Sequence, residues 1–154
     1  MSETIADWRT KAGLIYIENQ EKDLLREAIK FSAPQLKSIT LEQFDELMLV
    51  LSNYYVYLHS ELGTLSARVQ HLEEAFDISA APLAAKYGAS HARERRAIAI
   101  SKHEFLGEKK EQLDNERAKL EMLRPVCDTI KNKIYVMSKI YDRRTRDEYR
   151  SARG

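Results

Sequence analysis

Residues 106–141 read LGEKKEQLDNERAKLEMLRPVCDTIKNKIYVMSKIY, and the architecture follows from their spacing. Leu106, Leu113, Leu120, Cys127, Ile134 and Tyr141 recur every seven residues, with Leu123, Ile130 and Met137 in a second row. Rows offset by three and four positions share one face of a helix, so together they form a single apolar seam of coiled-coil type. A third row of the same period, Lys110, Arg117, Arg124 and Lys131, borders that seam with positive charge. The rows keep phase across Pro125, which predicts a kink there rather than a break. This basic heptad helix is expected over residues 92–150.

A second seam lies upstream. Thr40 with Gln43 three positions on has the form of a capping box, which satisfies amides that the first turn of a helix leaves unpaired. Phe44, Leu51, Leu58, Leu65 and Leu72 then recur every seven residues, with Met48, Tyr55, Leu62, Val69 and Phe76 as the companion row. This helix is expected over 41–77, and it is acidic: residues 41–78 hold seven Asp and Glu against one basic residue, Arg68. Gly63 inside it costs about 1 kcal/mol relative to Ala, and a close helix crossing would account for it. Residues 78–91, with Pro82 and Gly88, read as the connection to the basic helix. A first amphipathic helix is expected over 1–31 from the spacing of Leu14, Ile17, Leu24, Ala28 and Phe31, with Trp8 as an anchor against another helix. Pro34 closes it, because a residue before proline is pushed away from helical geometry.

Only five Gly and three Pro in 154 residues leave little material for the turns of a sandwich, barrel or βαβ fold. The fold class is all-α, a single domain over 1–154 whose long heptad helices form a hairpin or coiled-coil assembly. Helices of about 35 and 50 residues would span roughly 50 and 75 Å, more seam than one compact chain covers. A homo-oligomer is therefore expected, with Leu51, Leu58, Leu62, Leu65, Leu113, Leu120, Leu123, Ile130, Ile134 and Met137 at its interface. The lone Cys127 excludes an intrachain disulfide and sits in the seam, where it packs as a small hydrophobe. No basic leader precedes an apolar run, and no apolar run approaches the roughly 20 residues of a membrane span. A cytoplasmic protein with no membrane partner is expected.

The sequence carries no glycine-rich phosphate loop, zinc-ligand spacing or nucleophile signature. His59, His71, His91 and His103 are scattered, and none lies three residues after a glutamate as a di-iron bundle requires. No catalysis, metal or cofactor is expected. What remains is charge: residues 1–90 hold 8 Lys and Arg against 13 Asp and Glu, whereas 91–154 hold 17 against 11, so a net +1 divides into −5 and +6. Between Arg124 and Arg153 nine bases stand against four acids, interleaved with Tyr135, Tyr141 and Tyr149. Bases that neutralise phosphates release counterions, and aromatics among them stack on unpaired bases. The alternative is that these cations pair with the acidic second helix. Tyr54, Tyr55 and Tyr57 read as core and edge packing, with Tyr55 in the seam and Tyr54 beside it.

The run Arg93, Arg95, Arg96, Ala97, the heptad helix, and the ending Ser138, Lys139, Ile140, Tyr141, Asp142, Arg143, Arg144 through Glu148 resemble the UvsY-type phage recombination mediators. The resemblance covers residues 90–150. It implies an oligomeric helical protein that binds single-stranded DNA and helps load a recombinase in place of a single-strand-binding protein. Carried over, it assigns phosphate contacts to Arg93, Arg95, Arg96, Lys131, Lys133, Lys139, Arg143, Arg144, Arg146 and Arg150. The chain departs from that type in its acidic second helix and near-neutral charge. A different class of function is a structural or adaptor coiled coil, such as a phage assembly or scaffold factor, whose ligand is another protein. An exposed apolar strip at Tyr54, Tyr55, Leu58 and Leu62 would favour it.

Overall fold

The computed structural model describes residues 22–154. Five helices make up this part of the chain: α1 (Lys22–Lys30), α2 (Ala33–Ser38), α3 (Leu41–Ala84), α4 (Ala92–Lys102) and α5 (Glu104–Arg153). No strand occurs among the described residues. Most of the helix expected over 1–31, including Trp8, Leu14 and Ile17, lies outside them.

Local chemistry sets the helix ends. The Thr40 capping box is present in both directions: the Gln43 amide donates to Thr40 Oγ1 and the Thr40 amide to Gln43 Oε1, each at 3.1 Å. Ser32 does similar work for α2, its amide donating to Gln35 Oε1 at 2.8 Å. Pro34, expected only to end a helix, stands in the first turn of α2, where its missing N–H has no partner to lose.

Two boundaries differ from the sequence reading. α3 continues past Asp77 and through Pro82 to Ala84, so the connection is 85–91 rather than 78–91. Ala80, Ala81 and Ala84 have the highest helix propensity, and Pro82 withholds only one backbone donor close to the helix end. The helix expected over 92–150 is two helices, α4 and α5, parted at His103. The His103 backbone leaves helical geometry at φ −123° and ψ 104°. Its carbonyl accepts the amides of Leu106 at 3.0 Å and Gly107 at 3.3 Å, which starts α5 afresh. Pro125 lies within an unbroken α5.

The chain divides into two compact units, and α3 and α5 supply residues to both. The first comprises the residues through Ser60 with Leu123–Gly154, the second Glu61–Met122. In the first unit Phe44, Leu47, Val50, Leu51, Tyr54 and Leu58 of α3 are buried, as are Leu123, Cys127, Ile130 and Met137 of α5. The Phe44 and Tyr141 rings meet edge to face with centroids 5.4 Å apart. Leu25 and Ala28 of α1 and Leu36 of α2 complete this core. Two cations of α5 hold the connecting backbone: Lys133 Nζ donates to the Phe31 carbonyl, and Arg144 donates to the Leu36 carbonyl at 2.9 Å. Burial pushes the Cys127 thiol up from its ordinary pKa, with Asp128 beside it adding to the shift, so the thiol stays protonated and unreactive.

In the second unit Leu65, Val69, Phe76 and Ala80 of α3, Ala99 of α4, and Leu106, Leu113 and Leu120 of α5 are buried. Arg117 donates to Glu73 through Nε at 2.9 Å, so here basic and acidic helices do pair. Glu116 and Lys119 are also buried, bonded to each other at 2.9 Å, and Arg68 reaches Glu116 at 3.5 Å. Neither residue stands out in the sequence, because both resemble the charged positions flanking any heptad.

Nearly all residues expected at an oligomer interface are therefore buried within one chain. Leu51, Leu58, Leu65, Leu113, Leu120, Leu123, Ile130 and Met137 are buried, and Leu62 and Ile134 are half-buried. Helices that cover each other's seams have no need of another copy to do so. Gly63 likewise marks no close crossing, since a Cβ built there would meet nothing within 4 Å.

Two stability measurements follow. Gly63→Ala should stabilise the protein by about 1 kcal/mol, which raises Tm by roughly 2–4 °C in a chain of this size; thermal melting by circular dichroism reads it. Glu116→Ala removes the carboxylate that Lys119 and Arg68 share and should cost about 1.5–3 kcal/mol in urea denaturation, the range of hydrogen bonds to charged groups. Asp114→Ala, which breaks the more exposed pair with Lys110, should cost under about 1 kcal/mol.

Candidate nucleic-acid interface

The end of α5 is helical because Arg, Lys and Glu lose little side-chain freedom in a helix, and Arg150 and Arg153 in the last turn suit the negative end of the helix dipole. At about 100° per residue, Tyr135, Lys139, Arg143, Arg146, Arg150 and Arg153 fall within roughly 40° of one line along the helix. That line lies opposite Met137, which is fully buried. All six residues are exposed. Five cations from Lys139 to Arg153 thus occupy about 21 Å of helix, one per roughly 5 Å, the same scale as the ~3.4 Å phosphate spacing along one strand of a B-form duplex.

The aromatic groups accompany the charge. Lys139 Nζ lies 5.3 Å from the Tyr135 ring centroid, and the Arg153 guanidinium lies 4.6 Å from that of Tyr149. Tyr135 and Tyr149 are 63% and 58% exposed, so one face of each ring is available for stacking. Arg143, Arg146, Asp147 and Arg150 line a surface groove of about 430 Å³. Arg143 and Arg150 form no ion pair among the described residues, and Arg146 donates only to the Asp142 carbonyl of its own helix, at 3.0 Å.

The other expected contacts sort differently. Lys131 is exposed and unpaired among the described residues, as is Arg124 of the basic row. Lys133 and Arg144 are half-buried and engaged with the backbone of Phe31 and Leu36, so they belong to the fold rather than to the stripe. Tyr141, read from sequence both as the end of the seam and as one of the interleaved aromatics, packs on Phe44 as a seam residue. Its hydroxyl donates to Asp45 at 3.2 Å, and that bond, helped by burial and by the charges of Asp45 and Glu148, raises the phenol above its ordinary pKa. Lys110 pairs with Asp114, and Arg117 with Glu73 and Asp114, which removes half of the basic row.

In the second unit, Arg93, Arg95 and Arg96 border a groove of about 520 Å³ floored by Ala81, Ala84, Ala85 and Ala92. Arg95 donates to the Ala89 carbonyl at 3.3 Å. Arg96 pairs with Asp77 and lies 5.4 Å over the Phe76 ring. Only Arg93 of the three is uncommitted among the described residues. The strip that would have favoured a protein ligand is not open: Tyr54 and Leu58 are buried, and Tyr55 and Leu62 are half-buried. Arg153, outside the expected contact set, completes the stripe: four residues on from Arg146 stands Arg150, and three further on stands Arg153.

Among the described residues no group of three His, Cys, Asp or Glu could hold a metal ion, and no helix is long and apolar enough to cross a membrane. Comparison with family models, curated proteins and solved structures returned no match.

Arg143 and Arg144 are adjacent yet should behave differently. Arg144→Ala removes the donor to the Leu36 carbonyl and should cost about 1–2 kcal/mol of stability, whereas Arg143→Ala should change stability by less than about 0.5 kcal/mol. Urea denaturation of the two variants distinguishes them.

Proposed function

We propose that the protein binds single-stranded nucleic acid, without sequence preference, along the solvent stripe of α5. The observation that carries this reading is the line of Lys139, Arg143, Arg146, Arg150 and Arg153, exposed and bordered by Tyr135 and Tyr149. Guanidinium groups held on a rigid helix meet phosphates with little ordering cost, and uncommitted ones need not first give up a carboxylate. Exposed tyrosines add stacking at about 1–3 kcal/mol per base, and they accept any base because each has a π face. Cations repeated along one exposed line suit contacts to successive phosphates, which carry no sequence information. A mediator role beside a recombinase, as the UvsY-type resemblance implies, would place this stripe on the single strand.

Salt dependence measures the number of phosphates engaged. Five contacts to a single strand give a slope of about −3.5 in log K against log salt, or roughly a 100-fold loss of affinity between 50 and 200 mM. The combined variant Arg143→Ala, Arg146→Ala, Arg150→Ala leaves two of the five cations, and the slope should fall to about −1.4. Arg144 is kept because it holds α2. Fluorescence anisotropy with a labelled oligonucleotide of mixed sequence reads both quantities. Undetectable binding of the folded protein at 50 mM salt, or an unchanged slope in the variant, would refute the assignment.

A further inference from the structure

The exposed face of α5 repeats more than charge. Tyr135, Asp142 and Tyr149 recur every seven residues, and four positions after each stands a cation: Lys139, Arg146 and Arg153. Arg143 and Arg150 stand four positions further on again. Four residues turn about 40° around the helix, so this face carries parallel rows, aromatic at one edge and basic toward the other. All eight side chains are exposed. The rows touch at both tyrosines, where Lys139 and Arg153 lie over the rings at 5.3 and 4.6 Å from their centroids. Each cation steadies its ring from one side, and with Tyr135 and Tyr149 63% and 58% exposed a base can reach the other. Between the rings, the carboxylate of Asp142 forms no ion pair among the described residues; Arg146 donates to its backbone carbonyl instead, at 3.0 Å. A carboxylate in the aromatic row repels phosphates from that edge and leaves them the basic rows.

A single strand has the same division, phosphates along one edge and bases along the other. Resting on the nucleic-acid reading above, we infer that one strand lies lengthwise on α5 with its phosphates on the basic rows and two of its bases stacked on Tyr135 and Tyr149, so that the full site takes an unpaired strand of about seven nucleotides or longer. Length follows from the spacing of the rings. They stand fourteen residues apart in sequence, which is about 21 Å along the axis. A stacked strand advances ~3.4 Å per nucleotide, so roughly six steps cover that distance and the first and seventh bases meet the two rings. A more extended strand spans it with fewer. A duplex holds its bases between their neighbours and would have to give up that stacking to use either ring.

Unlabelled single strands of about three and about eight nucleotides, displacing a labelled long strand from the full chain at about 50 mM salt, test the placement. The octamer spans both rings, so Tyr135→Ala and Tyr149→Ala should each weaken it by about fivefold to 100-fold, the worth of one stacked base. The trimer reaches one ring at a time. It should bind at least about fivefold more weakly than the octamer, and neither substitution should lower its affinity by more than about twofold, because the other ring still serves. Tyr135→Phe and Tyr149→Phe keep the rings and should bind like the native chain. The salt slope should be the same in every variant, since no phosphate contact is removed. Helicity by circular dichroism should not change, because both tyrosines lie outside the core. An octamer weakened by only one of the Ala substitutions or by neither, a trimer that loses as much as the octamer, or Phe variants as weak as the Ala variants would each overturn the placement. A long strand that fails to bind the native chain would instead remove nucleic-acid binding itself, so the two failures are told apart.

Discussion

A helix whose apolar seam is satisfied by its own chain meets other molecules only through its remaining faces, and α3 and α5 are both in that position. Phe44, Leu51 and Met137 are essentially inaccessible, as is Leu106 in the second unit. Full burial of each such side chain contributes about 1.5–3 kcal/mol, so a dozen of them outweigh any single surface contact. That burial fixes the rotation of each long helix about its axis. Once the rotation is fixed, the exposed side chains are fixed too: Tyr135, Lys139 and Arg143 on α5, and Leu49 and Val56 on α3. The surface chemistry is thus a consequence of core packing.

The all-helical class, the start of α3 and the buried rows were legible in the sequence because each rests on a local or periodic signal. Thr40 and Gln43 sit three residues apart, and Leu106 to Cys127 hold a strict repeat of seven. The choice between Tyr54 and Tyr55 was misread for a reason that is itself periodic. An α-helix with 3.6 residues per turn drifts by about 20° per heptad against a strict repeat of seven. The buried partner of the Phe44 row accordingly falls at Leu47 and Tyr54 early in α3 and at Val69 and Phe76 later. A fixed companion row extrapolated backwards lands on Met48 and Tyr55, which are half-buried. The break at His103 carries no proline or glycine of its own. It depends on backbone acceptance by His103 and on the Tyr87 hydroxyl 3.1 Å from its ring, a contact across sixteen residues that no local pattern announces.

Charge behaved less simply than the −5 and +6 division suggests. The basic residues of the last helix serve three purposes, and sequence composition adds them together. Arg117 pairs with Glu73, as expected if acidic and basic helices attract. Lys133 and Arg144 hold backbone carbonyls of the α1–α2 segment, where a long cationic side chain reaches across to a group that would otherwise be left without a donor. Only the remainder, with Lys139, Arg143, Arg146 and Arg150 at its centre, faces solvent without an acidic partner. A pattern of bases every three or four residues cannot separate these uses, because the carbonyls and carboxylates that claim Lys133, Arg144 and Arg117 lie 102, 108 and 44 residues away.

The separation gives the stripe its physical meaning. A cation already bonded to a carboxylate must exchange one charge-assisted bond for another when a phosphate arrives, so its net contribution is small. An exposed, unpaired guanidinium exchanges only water and counterions, and the counterions it displaces from a nucleic acid make the gain depend on salt. Near-neutral net charge is therefore no obstacle to polyanion binding, since the relevant quantity is the number of uncommitted cations on one line. On α5 that line has five, and the acids that balance them in the sum, Glu42, Asp45 and Glu46 among them, stand on α3.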